Sequence, residues 1–95
     1  METQLCSAIA SHLIIEFDYD GHHRVANPHT VFIAKNGNAT LEAWQTGGTS
    51  KHTPPPDWGN FNITKITNLV ITDAQFPSPQ PDYNSARHSD CRCHL

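Results

Sequence analysis

The segment Ile15–Asp20 alternates apolar and polar residues, so that its apolar side chains share one face and its acidic side chains the other. Asp20-Gly21 follows as a turn in which glycine takes a positive φ without steric cost, and His23–Asn27 can return as the partner strand. This pattern predicts a β-hairpin near the start of the chain. Pro28 should then interrupt the ladder, because proline donates no backbone hydrogen bond.

A second hairpin is predicted directly after the first. Thr30–Ala34 is rich in β-branched and aromatic residues, and Asn36-Gly37 separates it from a second apolar run. Because Asn-Gly between two such runs is a strong hairpin signal, we expect residues 30–34 to pair with Ala39–Gln45.

The remaining pattern predicts one helix, one long loop and a last strand. Leu5, Ile9 and Leu13 recur every four residues, which indicates a short amphipathic helix over residues 3–13. Thr46–Trp58 contains two glycines and three consecutive prolines, so it cannot continue a sheet and is a candidate binding loop. Leu69–Thr72 then reads as a last buried strand.

These elements fit one small domain. The chain has 95 residues, and a helix followed by about five short strands indicates a mainly β domain over residues 1–76, folded as a small SH3-like or Sm-like β-barrel. A small open α+β sheet is the alternative. Residues 77–95 are proline-rich at first and carry little apolar weight, so we expect a flexible C-terminal tail.

Composition narrows the classes of function. The formal net charge is −3 and Lys plus Arg total six, which argues against direct DNA binding. The sequence contains neither a signal-peptide pattern nor an apolar run of membrane-spanning length. Three cysteines form no even disulfide framework, which is typical of a reducing compartment, so we expect a cytoplasmic protein without membrane contact.

No catalytic motif is present in the sequence: it has no G-x-S-x-G elbow, phosphate-binding loop or H-E-x-x-H. We therefore expect neither enzymatic activity nor a cofactor. A thin core in so short a chain favours a homodimer as a further expectation.

Arg24 is the main candidate for ligand binding, because a guanidinium presents a planar fork to a carboxylate or phosphate. Lys65 could add a second positive charge. The alternative for Arg24 is an ion pair across the hairpin with Glu16 or Asp18. Trp44 and Trp58 could stack on a ring of the ligand, and packing at a rim or under the helix is the alternative that we favour for Trp44.

Metal binding is a weaker hypothesis. The last residues carry sulfur and imidazole groups that are possible zinc ligands, namely His88, Cys91, Cys93 and His94. C-x-C does not match a standard zinc spacing, so incidental thiols in a disordered terminus are the alternative. A second set of histidines matches no zinc template: His22, His23, His29 and His52.

The order of these features resembles that of the WYL-domain group, in particular its short stand-alone members. The resemblance covers about residues 7–84 and depends on order and spacing, with these matching residues: Phe17, Tyr19, Gly21, Arg24, Pro28, His29, Leu41, Trp44, Gln45, Trp58, Phe61, Ile63, Ile66, Leu69, Phe76, Pro77, Tyr83 and Asn84.

Membership would imply an Sm-like SH3 barrel that acts as a regulatory or ligand-sensing module in bacterial proteins, with nucleotides or nucleic acids as proposed ligands. The chain departs from the pattern in two ways. The name-giving W-Y-L triplet aligns with Ala39-Thr40-Leu41, and the arginine-rich stretch of the family aligns with residues 61–66, so that only Arg24 and Lys65 remain as cations at the family's basic positions. The sequence therefore predicts a non-enzymatic module that binds a small anionic ligand or nucleotide, with Arg24, His29, Trp44, Trp58 and Lys65 as its site. A homodimeric interaction protein, or a subunit of a larger regulator, is the alternative.

Overall fold

The structure, a computed structural model, describes residues 1–51 and 53–95. Within these residues the chain forms one α-helix, six β-strands and two 3-10 turns. Their bounds are α1 Glu2–Ala10, β1 Leu13–Tyr19, β2 His22–Ile33, β3 Ala39–Gly48, β4 Asp57–Asn62, β5 Thr67–Gln75 and β6 Cys91–His94, with 3-10 turns over Ile63–Lys65 and Ser85–Arg87. None of the described helices is both long and apolar enough to cross a membrane.

Both predicted hairpins are present. β1 and β2 are joined by a two-residue turn in which Asp20 (φ 52°) and Gly21 (φ 74°) are both left-handed, the geometry that matches the twist of the flanking strands. β2 and β3 are joined through the Asn-Gly turn, where the Ala34 N–H donates to the Asn38 carbonyl at 2.9 Å. Local turn chemistry therefore fixes the register of the first three strands.

Pro28 interrupts the ladder, as predicted, but the strand continues through it. β2 runs from His22 to Ile33, and its pairing with β3 shifts register between Pro28 and Thr30. On the other edge, β1 pairs with β2 only as far as Ala26 and β6 takes over from Thr30. Proline thus occupies the gap between two partner strands, where its missing donor costs no ladder hydrogen bond on that edge.

The six antiparallel strands form an open sheet. The hydrogen-bonded order is β4-β3-β2-β1-β5, and β6 pairs with the far half of β2. Among the described residues no ladder joins β4 to β5, although only a 3-10 turn separates them in the chain. Closure into a barrel is therefore not observed. The structure instead has an open sheet with one N-terminal helix, which is our alternative expectation.

The hydrophobic core lies between α1 and the inner face of the curled sheet. Leu5 and Ile9 of the helix are fully buried against strand residues such as Ile15, Phe17 and Leu41. The helix is shorter than the predicted span of residues 3–13, because the chain turns into β1 at Leu13. Its apolar face nevertheless packs as its spacing predicts.

Residues 77–95, predicted as a flexible tail, make specific contacts with the domain. β6 extends the sheet, and a disulfide joins Cys93 to Cys6 of α1. Tyr83 shares a 2.6 Å hydrogen bond with the Thr30 hydroxyl. Cys93 is therefore not an incidental thiol, and the odd cysteine count leaves Cys91 as the free cysteine.

Candidate functional site

Arg24 lies on β2, just after the first turn, and its residue surface is only 5% exposed. Its Nη1 donates to Gln45 Oε1 at 3.2 Å and, at 3.5 Å, to the Ser50 hydroxyl. Its Nη2 donates to the Tyr19 carbonyl at 3.1 Å. These bonds hold the guanidinium in one orientation, which favours geometric recognition of a ligand.

The guanidinium retains donors that these bonds do not use. A guanidinium carries five N–H groups, and Arg24 Nε has no hydrogen-bond partner among the described residues. The charged group also lies near the rings of Tyr19 and Phe61, at 5.7 and 5.5 Å from their centroids. Burial lowers the pKa of Arg24, while the nearby Asp20 carboxylate raises it.

A cavity of about 350 Å³ opens beside Arg24, a size within the usual range for small-molecule sites. It lies between the first turn, the loop after β3 and the strand β4, so three separate parts of the chain form its wall. Its lining includes Tyr19, Arg24, Gln45, Lys51, Trp58 and Phe61, together with the carboxylates of Asp20 and Asp57.

The floor of this cavity is aromatic and closely packed. Phe61 meets Tyr19 edge to face at a centroid distance of 5.1 Å and Phe17 at 5.0 Å. The Phe61 ring also lies on the backbone of Gly59, where an added Cβ would overlap the ring. Only glycine, which has no Cβ, leaves room for the ring at this position. The ring in turn gives the cavity an apolar surface.

Of the five predicted site residues, Arg24 and Trp58 line this cavity, whereas His29, Trp44 and Lys65 are absent from its lining. Trp44 packs against Trp58 edge to face, with centroids 5.4 Å apart. Lys65 is exposed at the end of the 3-10 turn after β4. The structure therefore brings only two of the five predicted residues together in this cavity.

His29 is a fully buried structural residue. Its Nδ1 lies 2.8 Å from the Asn27 carbonyl, and its Nε2 accepts a hydrogen bond from the Gln80 N–H at 3.0 Å. A carbonyl cannot donate, so the proton lies on Nδ1 and the ring is neutral. Burial lowers the pKa of His29, in agreement with this tautomer.

The histidines of the first hairpin point to separate partners. His22 Nδ1 lies 2.9 Å from the Thr49 hydroxyl, and His23 bridges the carboxylates of Glu16 and Asp18, each at 2.9 Å. His23, rather than Arg24, therefore contacts the acidic face of β1. His52, the remaining member of that predicted set, lies outside the described residues.

The C-terminal metal candidates are engaged with other groups. Cys93 is in the disulfide, and the Cys91 thiol donates to the Cys93 carbonyl at 3.5 Å. His88 stacks on Phe32 with centroids 3.5 Å apart, and His94 Nδ1 lies 2.6 Å from the Leu95 carbonyl. In the part of the chain that the structure describes, no three such side chains are arranged to hold a metal ion.

Sequence reasoning missed several residues of the cavity. Gln45 accepts from Arg24 and is itself held by bonds from its Nε2 to the carbonyls of Gly47 and Thr49, at 2.9 and 3.0 Å. Lys51 and Asp20 reach the same cavity from a loop and a turn. Gln45, like the cavity residues Tyr19 and Phe61, had a signal in the sequence as part of the matched pattern. Lys51 and Asp20 had none, because loop and turn residues have no periodicity to reveal where they point.

Comparisons of this chain with protein-family models, with curated proteins and with solved structures found no match.

Proposed function

We propose that this protein is a non-enzymatic binding module that holds a small anionic ligand in the cavity beside Arg24. The observation that carries the proposal is a buried, oriented guanidinium in the cavity wall, whose Nη2 makes one hydrogen bond, to the Tyr19 carbonyl, and so keeps its second N–H for a ligand. A planar fork of this kind suits the oxygens of a carboxylate or a phosphate.

The aromatic residues of the cavity favour a ligand that carries an apolar group or a ring in addition to its anionic group. Trp58 and Phe61 offer apolar surface on which a ring or an aliphatic group of the ligand can pack. A nucleotide, the ligand class implied by the WYL resemblance, satisfies both requirements through its phosphate and its base. The net charge of −3 still argues against a long nucleic acid as the ligand.

The WYL-like assignment, the closed SH3-like barrel and a cytoplasmic location stay predictions. The order of helix and strands supports the first, and the short 3-10 turn between the two edge strands β4 and β5 supports the second. Because disulfides persist mainly in oxidising compartments, the Cys6–Cys93 pair removes the cysteine count as an argument for the cytoplasm.

Binding measurements on Arg24→Lys test the proposal. We use inorganic phosphate, a nucleoside monophosphate and small carboxylates as probes, in a Trp44→Phe background where Trp58 is the remaining tryptophan. Lysine keeps the charge but loses the fork, so affinity should fall at least about tenfold, as expected for a lost charge-assisted hydrogen bond of about 1.5–3 kcal/mol. Quenching of Trp58 fluorescence measures the affinity.

Lys65→Gln is the matched control, because it removes a cation that does not line the cavity. Its affinity should equal that of the parent. A failure of every probe to bind at millimolar concentration, or equal losses in Arg24→Lys and Lys65→Gln, would overturn the proposal. Thermal unfolding of each variant shows whether the fold is retained.

The second candidate function is that of an interaction protein that self-associates. Val70 and Ile71 are neighbours on the edge strand β5 and are 54% and 36% exposed, so this strand presents large apolar side chains to solvent. An exposed apolar edge strand is a surface on which another chain can add. The oligomeric state of the protein tests this candidate.

A further inference from the structure

The cavity beside Arg24 is lined by both signs of charge. Arg24 and Lys51 are cationic, whereas Asp20 and Asp57 are anionic. A site for a polyanion would gain from an excess of positive charge, because a carboxylate beside a phosphate is repelled. The balanced lining therefore points away from ligands with several negative charges.

The carboxylates of Asp57 and Asp20 differ in whether their oxygens already accept hydrogen bonds within the protein. Asp57 accepts hydrogen bonds from the Thr53 hydroxyl at 2.7 Å and from the Trp58 N–H at 2.8 Å, so both of its oxygens are engaged within the protein. The Asp20 carboxylate has no hydrogen-bond partner among residues 1–51 and 53–95, and Asp20 is exposed at the cavity. Asp20 is therefore the carboxylate that can receive a cationic group.

Asp20 and Arg24 are adjacent in space. Arg24 Nη2 donates to the carbonyl of Tyr19, the residue before Asp20, at 3.1 Å. The turn at Asp20-Gly21 brings the two residues to the same end of the hairpin. A carboxylate and a guanidinium thus line the same end of the cavity, which suits a small ligand that carries both an ammonium and a carboxylate.

We infer that the ligand is a zwitterion, namely an α-amino acid or a compound with an amino-acid head group, whose carboxylate meets Arg24 and whose ammonium meets Asp20. This inference rests on the anion-binding role that the proposed function gives to Arg24, and it adds an ammonium group to the carboxylate that Arg24 receives. The aromatic floor at Phe61 and Trp58 receives the apolar side chain of the ligand. A volume of about 350 Å³ accommodates one amino acid with an aromatic or branched side chain.

Phenylalanine and two of its derivatives test this inference by isothermal titration calorimetry. N-acetylphenylalanine lacks the ammonium, and phenylalanine amide lacks the carboxylate. The free amino acid should bind at least tenfold more tightly than either derivative, because each derivative leaves one charged group of the site unpaired. Adenosine monophosphate, with its extra negative charge, should bind more weakly than phenylalanine.

Asp20→Asn tests the charge of Asp20 alone, because it removes the negative charge and keeps the conformation of the turn. Asp20 has a φ of 52°, a conformation that asparagine tolerates well, and Asn-Gly is itself a preferred sequence for this turn. The variant should keep its melting temperature but bind phenylalanine at least tenfold more weakly, with affinity for the N-acetyl derivative unchanged or increased. Asp73→Asn on β5 is the matched control and should bind as the parent does.

The outcomes separate this inference from the proposed function. If the N-acetyl derivative binds as tightly as phenylalanine, and Arg24→Lys weakens both, the site takes anions but not zwitterions, and the inference is overturned while the proposed function stands. If phenylalanine does not bind at all, the inference is also overturned, and the phosphate and nucleotide probes then decide the proposed function.

Discussion

At the scale of single residues, His29 shows how a predicted ligand-binding group can serve the fold instead. It stacks on Phe76 with centroids 5.7 Å apart and meets Trp58 and Tyr83 edge to face, each at 4.9 Å. Its bond from the Gln80 N–H ties the segment after β5 to the middle of β2. A neutral imidazole is needed here, since protonated Nε2 could not accept that bond.

His29 should make the protein less stable in mild acid. Its pKa is lowered in the folded state, so the unfolded chain binds the proton more readily, and stability falls as pH drops below the ordinary value of about 6.5. His29→Gln, which does not titrate, should lose about 2 kcal/mol at pH 7 but show a smaller further loss between pH 7 and 5. Urea unfolding at several pH values measures both effects.

His23 has the opposite effect on the pH dependence of stability, so its contribution has to be removed before the effect of His29 is measured. Hydrogen bonds to Asp18 and Glu16 raise its pKa, so its contribution is fully present below pH 6.5 and is lost as pH rises above that value. The test of His29 is therefore made in a His23→Gln background. Equal acid sensitivity with and without His29 in that background would contradict the assigned role.

At the scale of elements, the C-terminal strand β6 completes the sheet where β1 ends. It pairs with Thr30–Phe32 of β2, and the N–H of Leu95 donates to the His29 carbonyl at 2.9 Å. The chain leading to it contacts β2 and β3 through Arg87 and His88. There Arg87 Nη1 lies 3.3 Å from the buried Glu42 carboxylate, which His88 also approaches to 3.3 Å.

The disulfide should be the main covalent support of β6. Cys6 and Cys93 are 87 residues apart, and a bridge that closes a loop of this length restricts the unfolded chain strongly. Cys93→Ser should lower the free energy of unfolding by about 2–4 kcal/mol, and Cys6→Ser should lower it equally. Urea unfolding under non-reducing conditions measures the loss.

Cys91→Ser is the matched control, because it changes the neighbouring free thiol on the same strand. Its effect should be below 1 kcal/mol, and reducing agent should destabilise it as much as it destabilises the parent. If Cys91→Ser costs as much as Cys93→Ser, the pairing of Cys6 with Cys93 is wrong. Peptide mapping of the unreduced protein identifies the bonded cysteines independently.

At the scale of the whole molecule, a side-chain hydrogen bond, and not a ladder between edge strands, connects β4 to β1 across the open sheet. The Asn62 N–H at the end of β4 donates to the Tyr19 hydroxyl of β1 at 3.0 Å. The edge strand β5 is irregular, with two register shifts against β1 and a left-handed residue at Asn68 (φ 53°). Such irregularities discourage edge-to-edge pairing, which limits any association to the short apolar stretch at Val70 and Ile71.

Self-association through that stretch predicts a concentration-dependent oligomer. Val70→Lys places a charge on the exposed apolar surface and should convert the oligomer to monomer, because a buried unpaired ammonium opposes association. Thr67→Lys adds the same charge to an exposed polar position of β5 and should leave association unchanged. Sedimentation velocity from micromolar to millimolar protein measures this. A wild-type monomer throughout the range would exclude the interaction candidate.

The sequence by itself determined the parts of the structure that depend on near neighbours. The Asp20-Gly21 and Asn36-Gly37 turns require residues that accept a positive φ, and each turn sets the register of the strands it joins. The apolar spacing at Leu5 and Ile9 similarly determined which face of the helix is buried. For the site, the sequence identified Arg24 and Trp58 because their side chains carry recognisable binding chemistry.

Only the tertiary structure decided what distant parts of the chain do together. The pairing of β6 with β2, the bond between Cys6 and Cys93, and the burial of His29 under the last segment join residues far apart in sequence. The cavity likewise needs a turn, a loop and a strand at once, so Asp20 and Lys51 gave no local signal. Such contacts follow from the path of the whole chain, because the free energy that forms them comes from burial shared among many elements rather than from the preference of any one residue.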